Sequence, residues 1–430
     1  MAMKARAQQF LENHKLLAEA IDIDAVIHEF ISEMEKGLAG ETSSLAMIPT
    51  YVTIDRPVPV GKPVIVMDAG GTNLRVATVT FAADGSFTMS SFRKTPMPGT
   101  KGHVTKEQFF DLLADFLEPV VNASDRIGFC FSYATEVTPE CDGKLLYWTK
   151  EIQAPDVVGE YIGKNLVERL ALRGKTGKKV VILNDTIATL LAGKSMGGAR
   201  QYESYLGVIE GTGSNTAYVE QNAKITKKPE LAAGAMAINL ESGGFGKCPR
   251  TDIDLAYDAT MKSIGKQKFE KMISGGYLGG VGLYAMKAAA DEGLFSTGAA
   301  AEIASWQELE TKVMDDFLWN PYRESVFNGP AFSDADREVV MILAAAVIRR
   351  AALLVAINVA APVIKSGAGA SPLHPVCVTM DGSTYYKTNN LKSQTEGYLR
   401  QILDARGIFF DVIKVEEAPV IGAAVAGLTV

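Results

Sequence analysis

The sequence predicts an α/β protein in which two β-rich halves face a cleft. Residues 64–79, VIVMDAGGTNLRVATV, read as an apolar strand, a glycine turn and a second strand, and residues 204–220, SYLGVIEGTGSNTAYVE, repeat this order. A further strand at 374–384, HPVCVTMDGST, again ends in Asp-Gly. Three similar strand-to-turn junctions, with no long linker or low-complexity segment between them, favour two related halves joined by short crossings.

Helical and strand patterns alternate along the chain around these junctions. Residues 4–38 place apolar side chains at helical spacing, and Asp22 or Asp24 is suited to cap a second helix within them. Strands are predicted at 64–68, 75–81, 86–92, 126–133 and 178–185, and further helices at 106–121 and from Thr186. At 430 residues this order is typical of an α/β protein with two or three domains.

Composition and charge argue against nucleic acid as a partner. Hydrophobic residues make up 47% of the chain and charged residues 22%, as in ordinary soluble proteins. The formal net charge of −7 and the pI of about 5.4 differ from the basic balance of nucleic-acid-binding proteins. Two lysine-rich groups, 174–179 and 224–228, are interpreted as solvated loops.

Cysteine spacing and hydropathy indicate a cytoplasmic protein without a membrane partner. The four cysteines are far apart and form no C-x-x-C pair: Cys130, Cys141, Cys248 and Cys377. That spacing argues against a zinc site and is typical of a reduced compartment. The first residues lack the apolar core of a signal peptide. The most apolar stretch, 339–364, contains Arg349 and Arg350, so we expect a buried helix whose arginines have partners.

The first glycine turn, DAGGTN at 68–73, matches neither G-x-G-x-x-G nor the P-loop pattern, which argues against both of those sites. A Gly-Gly turn can still present backbone N–H groups to an anion, because glycine adopts positive φ and permits close approach. Thr72 adds a hydroxyl donor and Arg75 a positive charge. The second glycine turn, GTGSN at 211–215, offers similar donors. Either turn alone could also be an ordinary β-hairpin.

Asp68 needs a separate explanation, because a carboxylate repels bare phosphate. A carboxylate can attract Mg²⁺, directly or through water, and the metal can bridge to phosphate oxygens. The two glycine turns, together with DGST at 381–384, therefore favour a site for a magnesium-bound phosphate over unrelated hairpins.

Eight short segments occur in the order and spacing of the hexokinase family. They are SSLAMIPTYV (43–52), DAGGTNLRV (68–76), LLYWTK (145–150), LNDTIATLLAG (183–193), GVIEGTGSNTAYVE (207–220), INLESGGFG (238–246), FEKMISGGYLG (269–279) and MDGSTYYK (380–387). From about residue 40 to its end, the chain resembles a compact ATP-dependent hexose kinase.

The resemblance implies the actin-like ATPase (ribonuclease H-like) fold. In this fold each of two lobes has a mixed β-sheet flanked by helices, and a cleft lies between the lobes. The expected small lobe is 63–195 plus 414–430, and the expected large lobe is 1–62 plus 196–413.

Asp185 follows a predicted strand and precedes a predicted helix, so from the residues alone it could equally be a helix N-cap or a base. The resemblance implies the base, which would take the proton from the sugar 6-hydroxyl. It also implies that Lys150 lies near the 6-oxygen and the γ-phosphate. The other residues expected to bind the sugar are Ser132, Thr149, Asn184, Asn215 and Glu241.

On the nucleotide side the resemblance implies ATP and Mg²⁺ as cofactors. The residues expected near the phosphates are Asp68, Gly70, Gly71, Thr72, Asn73, Arg75, Gly211, Thr212 and Gly213. Asp68 would hold the metal through water, and Asp185 is a further candidate metal contact. Those expected toward the α-phosphate and adenosine are Asp381, Gly382 and Ser383. Gly422, Ala423 and Ala424 resemble the small-residue helix beside that site, although simple close packing also explains them.

The chain departs from the family's pattern at two places. Gly280 stands where the family has the acid of YLGE, which the resemblance would place near the anomeric end of the sugar, and Ala134 replaces a proline. Losing one buried acceptor weakens hydroxyl recognition by about 1–3 kcal/mol. We therefore expect a broader hexose range or weaker glucose binding.

The expected partners are a hexose and Mg-ATP, and a homodimer is one possible assembly. Two other functions stay open at this point. The chain could be a sugar-sensing protein of the same fold with little turnover, which Gly280 favours and which Asp185 and Lys150 disfavour. It could also be an actin-like filament former, although such a protein has no need for the YWTK and LNDT segments.

Overall fold

A computed structural model describes residues 2–148, 151–196, 200–231 and 233–430 of the chain. The strands in these residues are β1 (Ile48–Pro49), β2 (Pro63–Gly70), β3 (Asn73–Phe81), β4 (Phe87–Pro96), β5 (Arg126–Phe131), β6 (Ala134–Val137), β7 (Gly143–Tyr147), β8 (Lys179–Leu183), β9 (Ser204–Glu210), β10 (Ser214–Gln221), β11 (Ala235–Asn239), β12 (Val376–Asp381) and β13 (Phe410–Ile413). The helices are α1 (Ala2–Asn13), α2 (Ile23–Ala39), α3 (Lys106–Leu117), α4 (Ile162–Leu172), α5 (Asp185–Met196), α6 (Asp252–Asp258), α7 (Glu270–Ile273), α8 (Leu278–Asp291), α9 (Thr297–Ser305), α10 (Thr311–Trp319), α11 (Asp334–Ser366), α12 (Ser383–Lys387), α13 (Leu391–Asp404) and α14 (Ala418–Thr429).

The first sheet has the strand order β4-β3-β2-β5-β8. In the antiparallel hairpin of β2 and β3, Asp68 pairs with Arg75 and Gly70 with Asn73, so only two residues make the turn. One of them, Gly71, has a φ of 69°, which glycine adopts without strain. Because β5 and β8 run parallel to β2, the carboxyl ends of all three strands meet at the edge that carries the first glycine turn.

The second sheet has the strand order β1-β11-β10-β9-β12-β13. β9 and β10 form an antiparallel hairpin in which Glu210 lies opposite Ser214, and the second glycine turn joins them. β12 runs parallel to β9, which brings Asp381 beside this turn. Gly382 has a φ of 116°, and a Cβ there would lie 2.2 Å from the carbonyl oxygen of Glu210. Only glycine therefore fits between β12 and the turn.

Two helices connect the sheets. α14 packs against β2, β5 and β8 of the first sheet and against α5, and α5 also packs against β9 and β12 of the second sheet. The contacts of α14 are very close, because a Cβ at Gly422 would lie 1.8 Å from the carbonyl oxygen of Ala188. A Cβ at Gly128 would be equally close to the carbonyl oxygen of Ala423. Close packing thus accounts for the small residues of α14, and the lobe boundaries drawn from the sequence stay a prediction.

The long apolar stretch forms the core helix α11. Of the helices in the described ranges it alone has the length and composition to cross a membrane, yet 78% of its most apolar window is buried inside the protein. The Arg350 guanidinium donates two hydrogen bonds of 2.6 and 2.8 Å to the Asp254 carboxylate. Arg349 contacts Glu19 and donates to the Tyr398 hydroxyl at 3.0 Å. The prediction of a buried helix with partnered arginines is confirmed.

Several predicted ends were wrong by a few residues. α3 ends at Leu117 instead of 121, because Pro119 has no backbone N–H and cannot continue the helical hydrogen bonds. β5 ends at Phe131 instead of 133 and β8 at Leu183 instead of 185. Of the two candidate caps for α2, Asp22 is the N-cap, since its carboxylate accepts the Ala25 amide at 3.0 Å.

Candidate functional site

A pocket of about 400 Å³, the polar pocket, opens where β5, β8 and β11 end and where β10 begins. It brings together five residues that were predicted to bind a sugar: Ser132, Asn184, Asp185, Asn215 and Glu241. Among the other polar residues that line it are Asn239 and Gln267, which the sequence did not single out. The predicted Thr149 and Lys150 lie outside the described residues.

Asn184, and not Asp185, caps helix α5. The side-chain oxygen of Asn184 accepts the backbone amides of Thr186 at 2.9 Å and Ile187 at 3.1 Å. The amide group of Asn184 donates to the Asp185 carboxylate at 3.2 Å, and the Thr186 hydroxyl lies 3.3 Å from the same oxygen. The helix cap was the alternative to a catalytic base for Asp185, and the structure assigns that cap to its neighbour.

Asp185 is the electrostatic centre of the site. Its charge acts on three other carboxyl groups, Asp68 in β2, Glu241 after β11 and Asp381 in β12, and raises the pKa of each. In all three groups burial is the largest cause of the raised pKa. The carboxylates predicted for sugar, metal and nucleotide therefore surround one point in the fold.

Glu241 and two asparagines form a hydrogen-bonded cluster in the polar pocket. The Glu241 carboxylate accepts from the side-chain amide of Asn239 at 2.8 Å and from that of Asn215 at 3.4 Å. Asn215 also donates to the Asn239 oxygen at 2.8 Å. These contacts hold the three side chains in fixed orientations, where their remaining donors and acceptors can bind a ligand with several hydroxyl groups.

Two residues near this cluster were missed by the sequence analysis. The Glu270 carboxylate accepts the Ser214 backbone amide at 2.9 Å, and its pKa is raised by burial and by the charge of Glu241. Gln267 lines the polar pocket from a backbone with a φ of 47°. Gln267 lies just before the FEKMISGGYLG segment and Glu270 lies within it. The signal for Glu270 was an acidic residue at the start of an apolar run. The partner of Glu270 is Ser214 on the second glycine turn, 56 residues away, and the sequence pattern does not indicate this contact.

The first glycine turn places an ion pair at its mouth. The Arg75 guanidinium lies 3.4 Å from the buried Asp68 carboxylate and 3.3 Å from Glu417. Burial raises the pKa of Asp68 to about 6, although the charge of Arg75 lowers it. At neutral pH Asp68 is therefore largely ionised and is balanced by only one partly exposed cation, which leaves it able to attract a further positive charge.

The second glycine turn is fastened by neighbouring segments. The Gly211 carbonyl accepts the Thr384 hydroxyl at 2.8 Å and the Gly275 amide at 2.8 Å. The Thr212 carbonyl accepts the Ser274 hydroxyl at 2.9 Å and the Gly276 amide at 3.0 Å. These bonds fix the carbonyl groups on one side of the turn.

Beside this turn lies a second pocket of about 430 Å³. It joins the predicted Thr212 and Ser383 to residues that the sequence analysis missed: Thr311, Lys312, Asp315, Asp316, Trp319, Lys387 and Thr388. The combination of hydroxyl groups, charged groups and one indole ring suits a ligand with both an aromatic and a polar part.

Gly280 lies in α8, and a Cβ there would lie 2.2 Å from the ring of Tyr257. A side chain at 280 would start toward α6, and the polar pocket is lined by other residues. Close helix packing therefore accounts for the glycine in this structure. The expected broader hexose range or weaker glucose binding stays a prediction.

The donor set is suited to a hydrated magnesium ion. In the described residues no three His, Cys, Asp or Glu side chains lie close enough to hold a metal by themselves. Asp185 nevertheless acts electrostatically on both Asp68 and Asp381. Mg²⁺ usually takes one or two carboxylates and completes its shell with water and substrate phosphates, so this arrangement fits it.

The two sheets, their helices and the cleft that carries this site define an actin-like ATPase fold of the sugar-kinase class. A hexokinase from Schistosoma mansoni complexed with glucose superimposes with a TM-score of 0.76 at 26% identity, covering 98% of this chain and 99% of that chain. A ROK hexokinase from Thermus thermophilus, at 17% identity and a TM-score of 0.52, shares the fold.

Two hexokinase family models match the chain, one over residues 6–195 and the other over 205–429. Hexokinase-1 of Nicotiana tabacum is 30% identical over 404 residues, which cover 86% of this chain and 80% of the tobacco protein. The chain belongs to the hexokinase family. Hexokinase-1 of Spinacia oleracea is 34% identical over 60% of this chain, and human hexokinase-3 is 30% identical over 91% of it. These matches span 55% of the spinach protein and 43% of the human protein.

Proposed function

We propose that this chain transfers the γ-phosphoryl group of Mg-ATP to the 6-hydroxyl of a hexose, with Asp185 as the general base. The single observation that carries the proposal is the composition of the polar pocket. There Asp185 lies beside Asn184, Asn215 and Glu241, in the pocket of a hexokinase-family chain. A relative in this family, the Schistosoma mansoni enzyme, has been solved with glucose.

In this mechanism the asparagine and glutamate side chains bind the ring hydroxyls and orient the sugar. The 6-hydroxyl then faces Asp185, whose carboxylate takes its proton as the oxygen attacks phosphorus. Asn184 contributes indirectly, because its side chain is bonded both to the start of α5 and to the Asp185 carboxylate. Lys150 is proposed to stabilise the charge on the moving phosphoryl group.

On the nucleotide side we propose that backbone amides of the two glycine turns, with Thr72 and Thr212, bind the phosphates. Asp68 would hold Mg²⁺ through water and Arg75 would contact phosphate oxygens. Mg²⁺ held there would supply positive charge that offsets the negative charge of the phosphates. The second pocket, with Ser383 at its edge, would take the adenosine.

The proposed lobes, 63–195 plus 414–430 and 1–62 plus 196–413, would close over the two substrates. Support comes from α5, which contacts both sheets and begins at Asp185. Closure would exclude water, which otherwise competes with the sugar as phosphoryl acceptor.

The test is a coupled assay of ADP release with Mg-ATP and a panel of glucose, mannose and fructose. We expect Asp185→Asn to lower kcat by about a hundredfold to ten-thousandfold, because it removes the base, while nucleotide binding is kept. Asp404→Asn, on the exposed face of α13, is the matched control and should leave kcat unchanged. Full turnover in Asp185→Asn would contradict the assigned base. Sugar binding without any turnover by the unmodified chain would favour the sensing function instead.

A further inference from the structure

Glu210 is a buried carboxyl group that the proposed reaction does not use. It ends β9 directly before the second glycine turn, and 0% of its surface is exposed. In the described part of the chain neither of its carboxyl oxygens has a hydrogen-bond partner. The hydroxyl of Ser214, which lies opposite Glu210 in the hairpin, also lacks one. Buried polar groups are rarely left unpaired, so two facing each other call for an explanation.

An ionised Glu210 would have no counter-ion in this environment. The charged group that acts on it is Glu270 of α7, which carries the same sign. Glu270 is itself held to this hairpin, because it accepts the Ser214 amide at 2.9 Å. Lys271, the next residue of α7, is engaged elsewhere, since its Nζ lies 2.5 Å from the Asp258 carboxylate.

Among the described residues, no cation acts on Glu210 from the other elements that pack on β9. From α11, Arg350 is paired with Asp254 at 2.6 Å. From α12, the Tyr385 hydroxyl lies 3.1 Å from the Glu396 carboxylate, to which it donates. A negative charge on Glu210 would therefore be both desolvated and repelled.

We propose that Glu210 is a positioning residue for the second glycine turn and for Glu270, and that it acts as a neutral, protonated carboxylic acid. A neutral acid carries both a donor and an acceptor, so a small rotation of either side chain would let it exchange hydrogen bonds with the Ser214 hydroxyl on the paired residue. Both ends of the hairpin turn are then tied by polar contacts. The inference rests on the proposed phosphoryl transfer, because this turn is the one assigned to the nucleotide phosphates.

The electrostatics of the site agree with this protonation state. Burial raises the pKa of Glu210 well above its ordinary value, and the charge of Glu270 acts in the same direction, while the Ser214 hydroxyl opposes it. Above the ordinary pKa of a glutamate, the unfolded chain has lost this proton and the folded chain keeps it. Stability must therefore fall as pH rises toward the pKa of the folded state.

The experiment compares Glu210→Gln with the unmodified chain by thermal unfolding and by Mg-ATP kinetics between about pH 5 and about pH 9. The amide keeps a donor and cannot ionise. We expect the melting temperature of Glu210→Gln, relative to the unmodified chain, to rise steadily with pH. Its KM for Mg-ATP should stay within about twofold at neutral pH. Glu220→Gln is the matched control, because Glu220 is a buried glutamate of the same hairpin whose partners include Lys365 at 3.4 Å. The melting temperature of Glu220→Gln, relative to the unmodified chain, should not rise with pH in this way.

Glu210→Leu separates positioning from simple space filling. Leucine fills the site but supplies no donor, so we expect its KM for Mg-ATP to rise at least fivefold at every pH, about 1 kcal/mol. If leucine and glutamine variants gave the same KM and the same pH dependence as the unmodified chain, the proposal would be overturned. An unmodified chain without turnover would count against the proposed function, whereas the melting-temperature series would still decide the protonation of Glu210.

Discussion

The Arg75 guanidinium lies 3.4 Å from the Asp68 carboxylate across the first hairpin, although Asp68 was expected to hold the metal and Arg75 to contact the phosphates. The cross-strand register explains the pair, because Asp68 and Arg75 are direct partners in β2 and β3. Arg75 also reaches Glu417 at 3.3 Å, just before α14. The arginine is therefore held at the mouth of the turn before any phosphate arrives.

Replacing Arg75 should weaken nucleotide binding more than sugar binding. A hydrogen bond to a charged group contributes about 1.5–3 kcal/mol, so we expect Arg75→Gln to raise the KM for Mg-ATP about tenfold or more. The KM for the hexose should change little. Glu417→Gln is the control, because it removes the other partner of Arg75 and leaves Asp68 in place. Equal nucleotide KM values for Arg75→Gln and the unmodified chain would mean that Arg75 serves only Asp68.

Asp68→Asn should stabilise the fold while it inactivates the site. Burial raises the pKa of Asp68 from 3.8 to about 6, so the folded state disfavours the charge by about 3 kcal/mol. The contribution of Asp68 to stability is complete below about pH 4 and is lost as pH rises through about 6. Urea unfolding should therefore show no gain for Asp68→Asn near pH 4 and a gain of about 3 kcal/mol near pH 8.

Asp68→Asn should also lose Mg-ATP-dependent turnover, because an amide attracts Mg²⁺ far less than a carboxylate does. Asp156→Asn, at an exposed position of the same predicted lobe, is the control and should change neither the stability nor the turnover. A destabilised Asp68→Asn would show that the ion pair with Arg75 outweighs the cost of burial.

The parts of the site that the sequence predicted depend on local chemistry. Gly71 needs a positive φ in a two-residue turn, and a polar residue after a buried parallel strand, such as Asn184, must lie at the sheet edge. The resemblance to a family then assigned roles to these places. No long-range contact had to be known for either step.

The parts that were missed depend on packing between distant segments. Glu270 reaches the site only because α7 lies against the second glycine turn, and Trp319 because α10 lies beside α12. The packing of Gly280 against Tyr257 of α6 is likewise a contact between segments that the motifs do not connect. Motif order carries no information about such contacts.

Removing Arg350 should destabilise the protein strongly, while removing the adjacent Arg349 should not. Arg350 and Asp254 are both nearly fully buried, so Arg350→Met leaves an unpaired buried carboxylate and should cost about 3–5 kcal/mol. Arg349 and Glu19 are each about half exposed, and such pairs contribute about 0–1 kcal/mol. Urea unfolding of Arg350→Met and Arg349→Met compares the two directly. Similar losses would contradict the assignment of α11 as a core helix.

A methyl group at Gly422 should displace the C-terminal helix. The added Cβ would lie 1.8 Å from the Ala188 carbonyl oxygen of α5, so we expect Gly422→Ala to cost about 3 kcal/mol or more. Gly397→Ala in α13 is the control, because its Cβ would meet nothing within 4 Å. Gly397 is exposed, so Gly397→Ala should instead stabilise the folded protein by up to about 1 kcal/mol. Unchanged melting temperature in Gly422→Ala would show that α14 packs more loosely against α5.

Restoring an acid at position 280 tests whether this position contributes to sugar recognition. The Cβ of Gly280→Glu would lie 2.2 Å from the Tyr257 ring, so that ring must move. Overpacking of this kind costs about 1–3 kcal/mol. The family resemblance predicts a gain in glucose preference for this variant. The packing on Tyr257, apart from the residues that line the polar pocket, predicts instead that the ratio of kcat/KM for glucose to that for mannose stays within about twofold.

The double variant Gly280→Glu with Tyr257→Ala tests the cause of that loss of stability. Removing the ring makes room for the new side chain, so most of the lost stability should return, whereas Tyr257→Ala alone should be destabilising. Chemical denaturation of the four chains measures this coupling, and the hexose panel measures specificity in parallel. An increase of about tenfold or more in the glucose preference of Gly280→Glu, about 1.4 kcal/mol, would return position 280 to the sugar site. Without that increase, hexose preference depends on the residues that line the polar pocket, including Asn215, Asn239 and Glu241.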